Sequence, residues 1–314
     1  MTDFLIHHWG FTEDQTPQYK PTNNPMIEAN HWYHCHRDAQ GITEWLSQNN
    51  VPQAAIDSLL AHDTRPMFDM LSEQDFVLIL RGVNLNDNAN PEDMLSLRIL
   101  YYQGAIISVR RTPSKTVQSI QNQLQQGQGP QSLNRLLLAM INGLNRNIDD
   151  FLQGLEDDIE VYDSELEMSE PMMQTHKALL KMKRFIKPQQ YAIADLKEAE
   201  LPSLQSDSLH LRQALNTITR INETLDFYLG ELEIIKGELR QYHAERMNHN
   251  TYLFSVIAAI FLPTSFLTGL LGVNVGGIPG TDSPIAFVLF CIALLGIFAI
   301  EVWILKRLRM FDKE

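Results

Sequence analysis

The sequence predicts an α+β domain followed by an all-α stalk and two transmembrane helices, and three observations carry that reading. Tyr252 to Gly272 is an uncharged run of 21 residues, which at about 1.5 Å per helical residue covers the roughly 30 Å hydrocarbon core of a bilayer. Ile285 to Leu305 is a second apolar run, interrupted only by Glu301. Upstream, Leu211, Ala214, Ile218, Ile221, Leu225, Tyr228, Leu232, Ile235, Leu239 and Tyr242 alternate steps of three and four, the a/d seam of a long helix.

Residues 1–148 are expected to form the α+β domain. Strand-like runs lie at Trp32 to His36, Phe76 to Val83, Leu97 to Tyr102 and Ala105 to Arg110, the last two joined through Gln103-Gly104 as a hairpin. Helical patterns fill Ile42 to Gln48 and Pro52 to Ala61. From Ser114 the period is helical, with breaks expected at 127–130, Pro171, Pro188 and Pro202.

Residues 149–202 are expected as an acidic helical hairpin. Its carboxylates include Glu156, Asp157, Asp158, Glu160, Asp163, Glu165 and Glu167, with no Lys or Arg between Asp149 and Glu170. Such a run is either a solvated helix face or a reservoir of negative potential that concentrates divalent cations. Residues 203–272 are expected as one helix of roughly 100 Å, supported by neighbouring chains or by the hairpin before it. A loop (273–284) and the second span with a basic tail (285–314) follow.

Between residues 247 and 305 the formal charges are Asp282 and Glu301, and Lys306, Arg307 and Arg309 come next. Basic residues favour the cytoplasmic side, so both termini are expected in the cytoplasm and the loop outside, in the cytoplasmic (inner) membrane. Glu301 is expected to reach the interface or to pair with Lys306 or Arg307, with a proton-carrying role as the lesser alternative. The start, MTDFLIHHWG, lacks the pattern of a secretory signal. Cys35 and Cys291, the two cysteines, fall in the body and the second span, which argues against a disulfide framework. A net charge of −13 excludes nucleic acid as the expected partner and suits a cationic one. The mean hydropathy of −0.18 averages a polar body with an apolar tail.

A second stripe runs along the long helix. Gly230, Gly237, Ala244, Thr251, Ala258, Ser265 and Gly272 are small residues seven apart, and Asn248, Ser255, Leu262 and Gly269 are their half-turn companions. Small residues at this spacing allow close helix packing or leave an axial path open. Asn248, Thr251, Ser255 and Ser265 make the face polar, and polar groups at membrane depth belong toward protein or water. Two spans cannot enclose a conduit alone, so a pore here requires an oligomer.

The first span ends in FLPTSFLTGLLGVN, followed by VGGIPG, a last span and a basic tail. Gly-x-Asn alone is weak: the chain repeats GVN at Gly82 to Asn84, within the body. The full arrangement resembles the two-transmembrane GxN transporters, the CorA-like divalent-cation family, and within it the zinc-transporting ZntB branch. Leu271 and Val273 stand where the magnesium branch carries Tyr and Met, which puts magnesium selectivity in doubt. The resemblance implies a homopentameric funnel whose first spans line the axis through Asn248, Thr251, Ser255, Ala258, Leu262, Ser265 and Gly269, with Gly272, Val273 and Asn274 ringing the outer mouth.

Five Asn274 amide oxygens could accept hydrogen bonds from an ion's hydration water, a weak site that lets the ion leave. Leu262 would form an apolar constriction, and Asp282 would attract cations to the loop or serve as a solvated turn residue. His243 and His249, near the cytoplasmic end of the span, could sense or relay protons; ordinary surface histidines are the plainer reading. His34 and His36 share one face of their strand and are a candidate metal pair, without the spacing of a closed zinc site.

The resemblance implies a transporter, not an enzyme: uptake of Zn2+ and of related Co2+, Ni2+, Cd2+ or Mg2+, aided by the proton gradient, with divalent cations, protons and the bilayer as partners and no resident cofactor. Two alternatives remain open here: a magnesium or cobalt channel gated by cytoplasmic metal, and a non-conducting membrane-anchored metal sensor or scaffold. No nucleophile elbow, phosphate loop or HExxH motif points to catalysis.

Overall fold

The computed structural model describes residues 4–12, 15–21, 25–163, 167–273, 280 and 283–307. Two compact units divide at Lys236 and Gly237.

The first unit is built on a seven-stranded sheet. Its strands are β1 (Leu5–Thr12), β2 (Gln15–Tyr19), β3 (His31–His36), β4 (Met67–Met70), β5 (Phe76–Gly82), β6 (Leu95–Tyr102) and β7 (Ala105–Arg110), in the order β2-β1-β3-β7-β6-β5-β4. The β3–β7 pair is parallel and the others antiparallel. Buried residues run almost unbroken along β5 and β7, because both faces of the sheet are covered. On one face α1 (Ile42–Gln48) and α2 (Gln53–Leu60) pack Trp45, Leu46, Ile56 and Leu59 onto Tyr33, Cys35, Val77, Leu100 and Ile107. On the other lie α4 (Leu133–Gln153) and α6 (Glu170–Glu198), the two long helices that touch β5.

The remaining helices are α3 (Lys115–Gln125), α5 (Glu156–Asp163), α7 (Ser208–Leu271) and α8 (Ala286–Arg307). Residue 148, the expected domain limit, lies inside α4. Pro188 does not break its helix as expected: α6 runs through it. One lost backbone bond is outweighed by the burial of Ile186, Gln189, Ala192 and Ile193 on either side. The break at 127–130 separates α3 from α4, Pro171 sits in the first turn of α6 where its missing N–H is harmless, and Pro202 opens a short 3-10 turn, Pro202–Asp207.

Nine of the ten predicted seam residues on α7, Leu211 through Leu239, are buried, and Tyr242 is 41% exposed. In the first unit their support is the chain's own helical layer, since Lys183 pairs with Asp226 at 2.5 Å and Arg220 with Asp149 at 2.8 Å. A buried amide relay ties this layer to the sheet. The Arg81 N–H donates to Gln189 Oε1 (2.6 Å), Gln189 Nε2 to Asn145 Oδ1 (3.3 Å), and Asn145 Nδ2 to the Ala214 carbonyl (3.2 Å).

The first GVN copy has a structural explanation. A Cβ on Gly82 would lie 2.5 Å from Leu144 Cδ2, so glycine here lets α4 approach β5. Asn84 Oδ1 accepts from the backbone N–H and side-chain amide of Asn86, which closes the turn after β5.

Candidate cation path

In the second unit, α7 and α8 each carry a window apolar and long enough to cross a bilayer. Only 6% of either window is buried, so neither is the core helix of a soluble body. The covered positions of α7 recur at Tyr252, Val256, Ile260, Thr264 and Leu267, one stripe at helical spacing. On α8 they include Leu294, Ile297, Glu301 and Leu305. Each helix thus has one covered stripe, and the rest of its surface is exposed.

The candidate path residues lie on the other side of α7. Asn248, Thr251, Ser255, Ala258, Leu262, Ser265 and Gly269 are all exposed, Leu262 at 73%. Successive helical residues are about 100° apart, which puts this set on the side of the helix turned away from Val256. The small and polar residues therefore mark an open face of α7, away from its covered stripe. Gly272 and Val273 follow, exposed, and Gly272 N–H donates to the Thr268 carbonyl at 2.9 Å. Asn274 and Asp282 lie outside the described residues, as does Glu165.

The hydroxyls on this span are oriented. Thr251 Oγ1 donates to the Met247 carbonyl and Ser255 Oγ to the Thr251 carbonyl, each at 2.9 Å. With its hydrogen committed to the backbone, a hydroxyl presents oxygen lone pairs outward. Asn248, Thr251 and Ser255 thus give the open stripe neutral oxygen acceptors, which suit a hydrated cation and carry no fixed charge. Sequence spacing could find these residues but not the direction of their hydrogens. Thr264 and Thr268 make similar bonds around Pro263, Thr264 to Ile260 and Phe261 and Thr268 to Thr264 and Ser265.

The other predicted residues separate by environment. Glu156, Asp157, Asp158, Glu160, Asp163 and Glu167 are exposed, while Ile159 and Tyr162 of α5 are buried. His243 and His249 belong to an exposed stretch of α7, residues 241–251. His34 is buried with both ring nitrogens in use: Arg110 Nε donates to Nε2 at 3.0 Å, and Nδ1 lies 2.7 Å from Ser108 Oγ. Because Nε2 accepts, the neutral ring carries its proton on Nδ1 and donates it to Ser108. Burial, the Arg110 charge and His7 hold His34 well below the usual imidazole range. His36 Nδ1 accepts the Asp38 N–H at 3.2 Å. His34 has no lone pair left for a metal, so in the candidate His34–His36 pair it serves as a hydrogen-bonded structural residue. Among the described residues no group of three or more His, Cys, Asp or Glu side chains could hold a metal ion.

A seven-stranded α+β unit, two exposed apolar helices and a neutral polar stripe left open on the first of them define a two-span membrane protein. Residues 28–307 match the family described as CorA-like Mg2+ transporter protein, and the chain belongs to that family. The zinc transport protein ZntB of Vibrio parahaemolyticus is 48% identical over 310 residues, 99% of this chain and 98% of its own. The crystal structure of the ZntB cytoplasmic domain from that organism aligns with a TM-score of 0.73 at 44% identity, covering 77% of this chain and 99% of that one. Full-length CmaX aligns with a TM-score of 0.84 at 28% identity, covering 98% and 99%. The expected membership of a CorA-like family, its ZntB likeness and the α+β fold with a long helix and two spans are thereby borne out.

Proposed function

We propose that this chain carries zinc and related divalent cations inward across the cytoplasmic membrane, aided by the proton gradient, along the axis of a homopentamer. The observation that supports this most is the open stripe on α7 from Asn248 to Gly269, neutral and oxygen-bearing, on the side away from the covered stripe. One hairpin cannot surround an ion, so several copies must turn that stripe to a common axis. Neutral oxygens bind a hydrated divalent ion weakly enough to release it, where carboxylates would retain it. In this reading Leu262 forms an apolar constriction, and Gly272, Val273 and Asn274 ring the outer mouth. The relative named for zinc transport supports zinc as cargo. Sidedness is supported by Lys306 and Arg307 at the end of α8 and by the printed description of the matching ZntB domain as cytoplasmic.

A second reading, a magnesium or cobalt channel closed by cytoplasmic metal, is favoured by the Mg2+ in the family's description and by the exposed acids of α5, a surface that cytoplasmic divalent ions could occupy. Zinc uptake into liposomes holding the purified protein, with and without an inward proton gradient, separates the readings. Uptake stimulated by the gradient and reduced at least about tenfold by Asn274→Ala, the loss of about 1.4 kcal/mol or more at the mouth, is the expected result. Equal entry under both conditions, with magnesium carried as well, selects the channel. Absence of flux for every divalent ion selects the sensor or scaffold.

A further inference from the structure

Within the described parts of the two apolar windows, Glu301 is the one carboxylate. The sequence suggests two innocuous places for it, among headgroups or paired with Lys306 or Arg307. Among the described residues the structure shows no such pairing. Glu301 lies on the covered stripe of α8 with Leu294, Ile297 and Leu305, and its Oε2 is buried without a hydrogen-bond partner. No ion pair joins it to Lys306 or Arg307 among the described residues; the Arg307 guanidinium sits 5.3 Å from the Trp303 ring centroid instead.

The covered stripe of α7 offers one titratable group of its own. Tyr252 is half-buried, and its hydroxyl is likewise buried without a partner. His249 precedes it by about one turn and is exposed. No fixed cation of α7 belongs to the covered stripe. Two orphaned oxygens thus lie on the covered stripes of the two spans, each beside the basic or polar end of its span, in a segment where every unmet polar group is costly. An ionisable side chain kept at membrane depth without a counter-charge marks a proton or ion pathway by default. The open stripe on the far side of α7 serves the cation, and Glu301 is not on it.

We propose that Glu301 is the carboxyl group through which the proton gradient acts on transport, with the Tyr252 hydroxyl, which it does not bond in this structure, as the group it can engage on α7. This inference rests on the reading of the chain as a proton-aided divalent-cation transporter. The step is a simple exchange: the Glu301 carboxylate gains a proton from water on one side and returns it to water on the other, and no other bond changes. Because Glu301 lies off the open stripe, the proton and the cation do not share a path. Protonation changes what α8 offers to the covered face of α7, and the opposite face of that same helix meets the ion.

The test uses the full-length protein in liposomes as wild type, Glu301→Gln, Glu301→Asp and Tyr252→Phe. Zinc uptake is measured with and without an inward proton gradient, and infrared difference spectra are recorded between mildly acidic and mildly alkaline buffer. The expected result is loss of the gradient's stimulation in Glu301→Gln, its partial retention in Glu301→Asp and Tyr252→Phe, and a protonated-carboxyl band in the wild type that Glu301→Gln lacks. A wild type that responds to the gradient while Glu301→Gln responds equally, or shows the same band, overturns this inference alone. A wild type indifferent to the gradient removes the proton-aided reading and this inference with it.

Discussion

Single side chains in the sheet show how a histidine-rich segment can be structural. His8 is stacked 4.4 Å from Tyr33 and buried, and burial together with the neighbouring His31 brings its imidazole down to about 4. Unfolding returns it to an ordinary value near 6.5, so between those limits the unfolded chain binds more protons. Stability is therefore full above about pH 6.5 and falls as the pH drops toward 4, by up to about 1.4 kcal/mol per pH unit for such a group. His8→Phe keeps the stacked ring and removes the proton, so thermal melts of the two proteins should diverge progressively below pH 6.5, the variant losing less. His34 shows the limit of reading histidines from sequence. Alternation along β3 correctly placed it on one face with His36, but the partners that occupy its nitrogens, Arg110 and Ser108, come from a strand more than 70 residues away. Residue type suggested a ligand; tertiary pairing decided otherwise.

Among the elements, those with a long one-sided pattern were legible and those completed by distant partners were not. The strands β5 to β7 stood out as dense apolar runs, and α7 as a seam without interruption. In contrast β1, with its His7-His8 pair, and the polar β2 acquire their pairing from β3 and from each other, so no local signal marks them. The open stripe was legible in residue size and polarity, but which face of the span is covered was not. Helix α8 is apolar almost all round, so its sequence does not announce which side is covered, and Glu301 could not be oriented from it. Helix α6 owes its continuity through Pro188 to what it buries, and Gln189 is the next residue. Gln189→Leu would leave the Arg81 N–H and Asn145 Oδ1 without partners in a buried layer, while Asn145 Nδ2 keeps the Ala214 carbonyl. A cost of about 2 to 4 kcal/mol is expected, measurable as a lowered urea midpoint, and a smaller added penalty for Asn145→Leu on that background would show that the two act in one relay.

At the scale of the whole molecule, charge is the property that the fold distributes rather than neutralises. The chain carries a net charge of −13, and α5 displays acids on its exposed face while Ile159 and Tyr162 hold it to the unit. Replacing Glu156, Asp157, Asp158, Glu160 and Asp163 by their amides should leave the melting temperature nearly unchanged, since those side chains are solvated. Under the cation-concentrating reading, zinc flux at low metal and low ionic strength should fall severalfold, and the difference should vanish at high salt, where a Debye length of about 3 Å at 1 M screens the face. A solvated face with no part in transport predicts equal flux at every salt. The order of elements along the chain also bears on how the protein is made. Every strand of the sheet lies before Arg111, and α4 and α6, which cover it, before Ala199, whereas the first apolar window belongs to the far end of α7. Synthesis proceeds from the amino terminus and domains close as units. The body can therefore bury its sheet before any lipid-seeking segment has left the ribosome, and the nascent chain that reaches the membrane presents its insertion machinery with a finished domain and a single helical hairpin still to place.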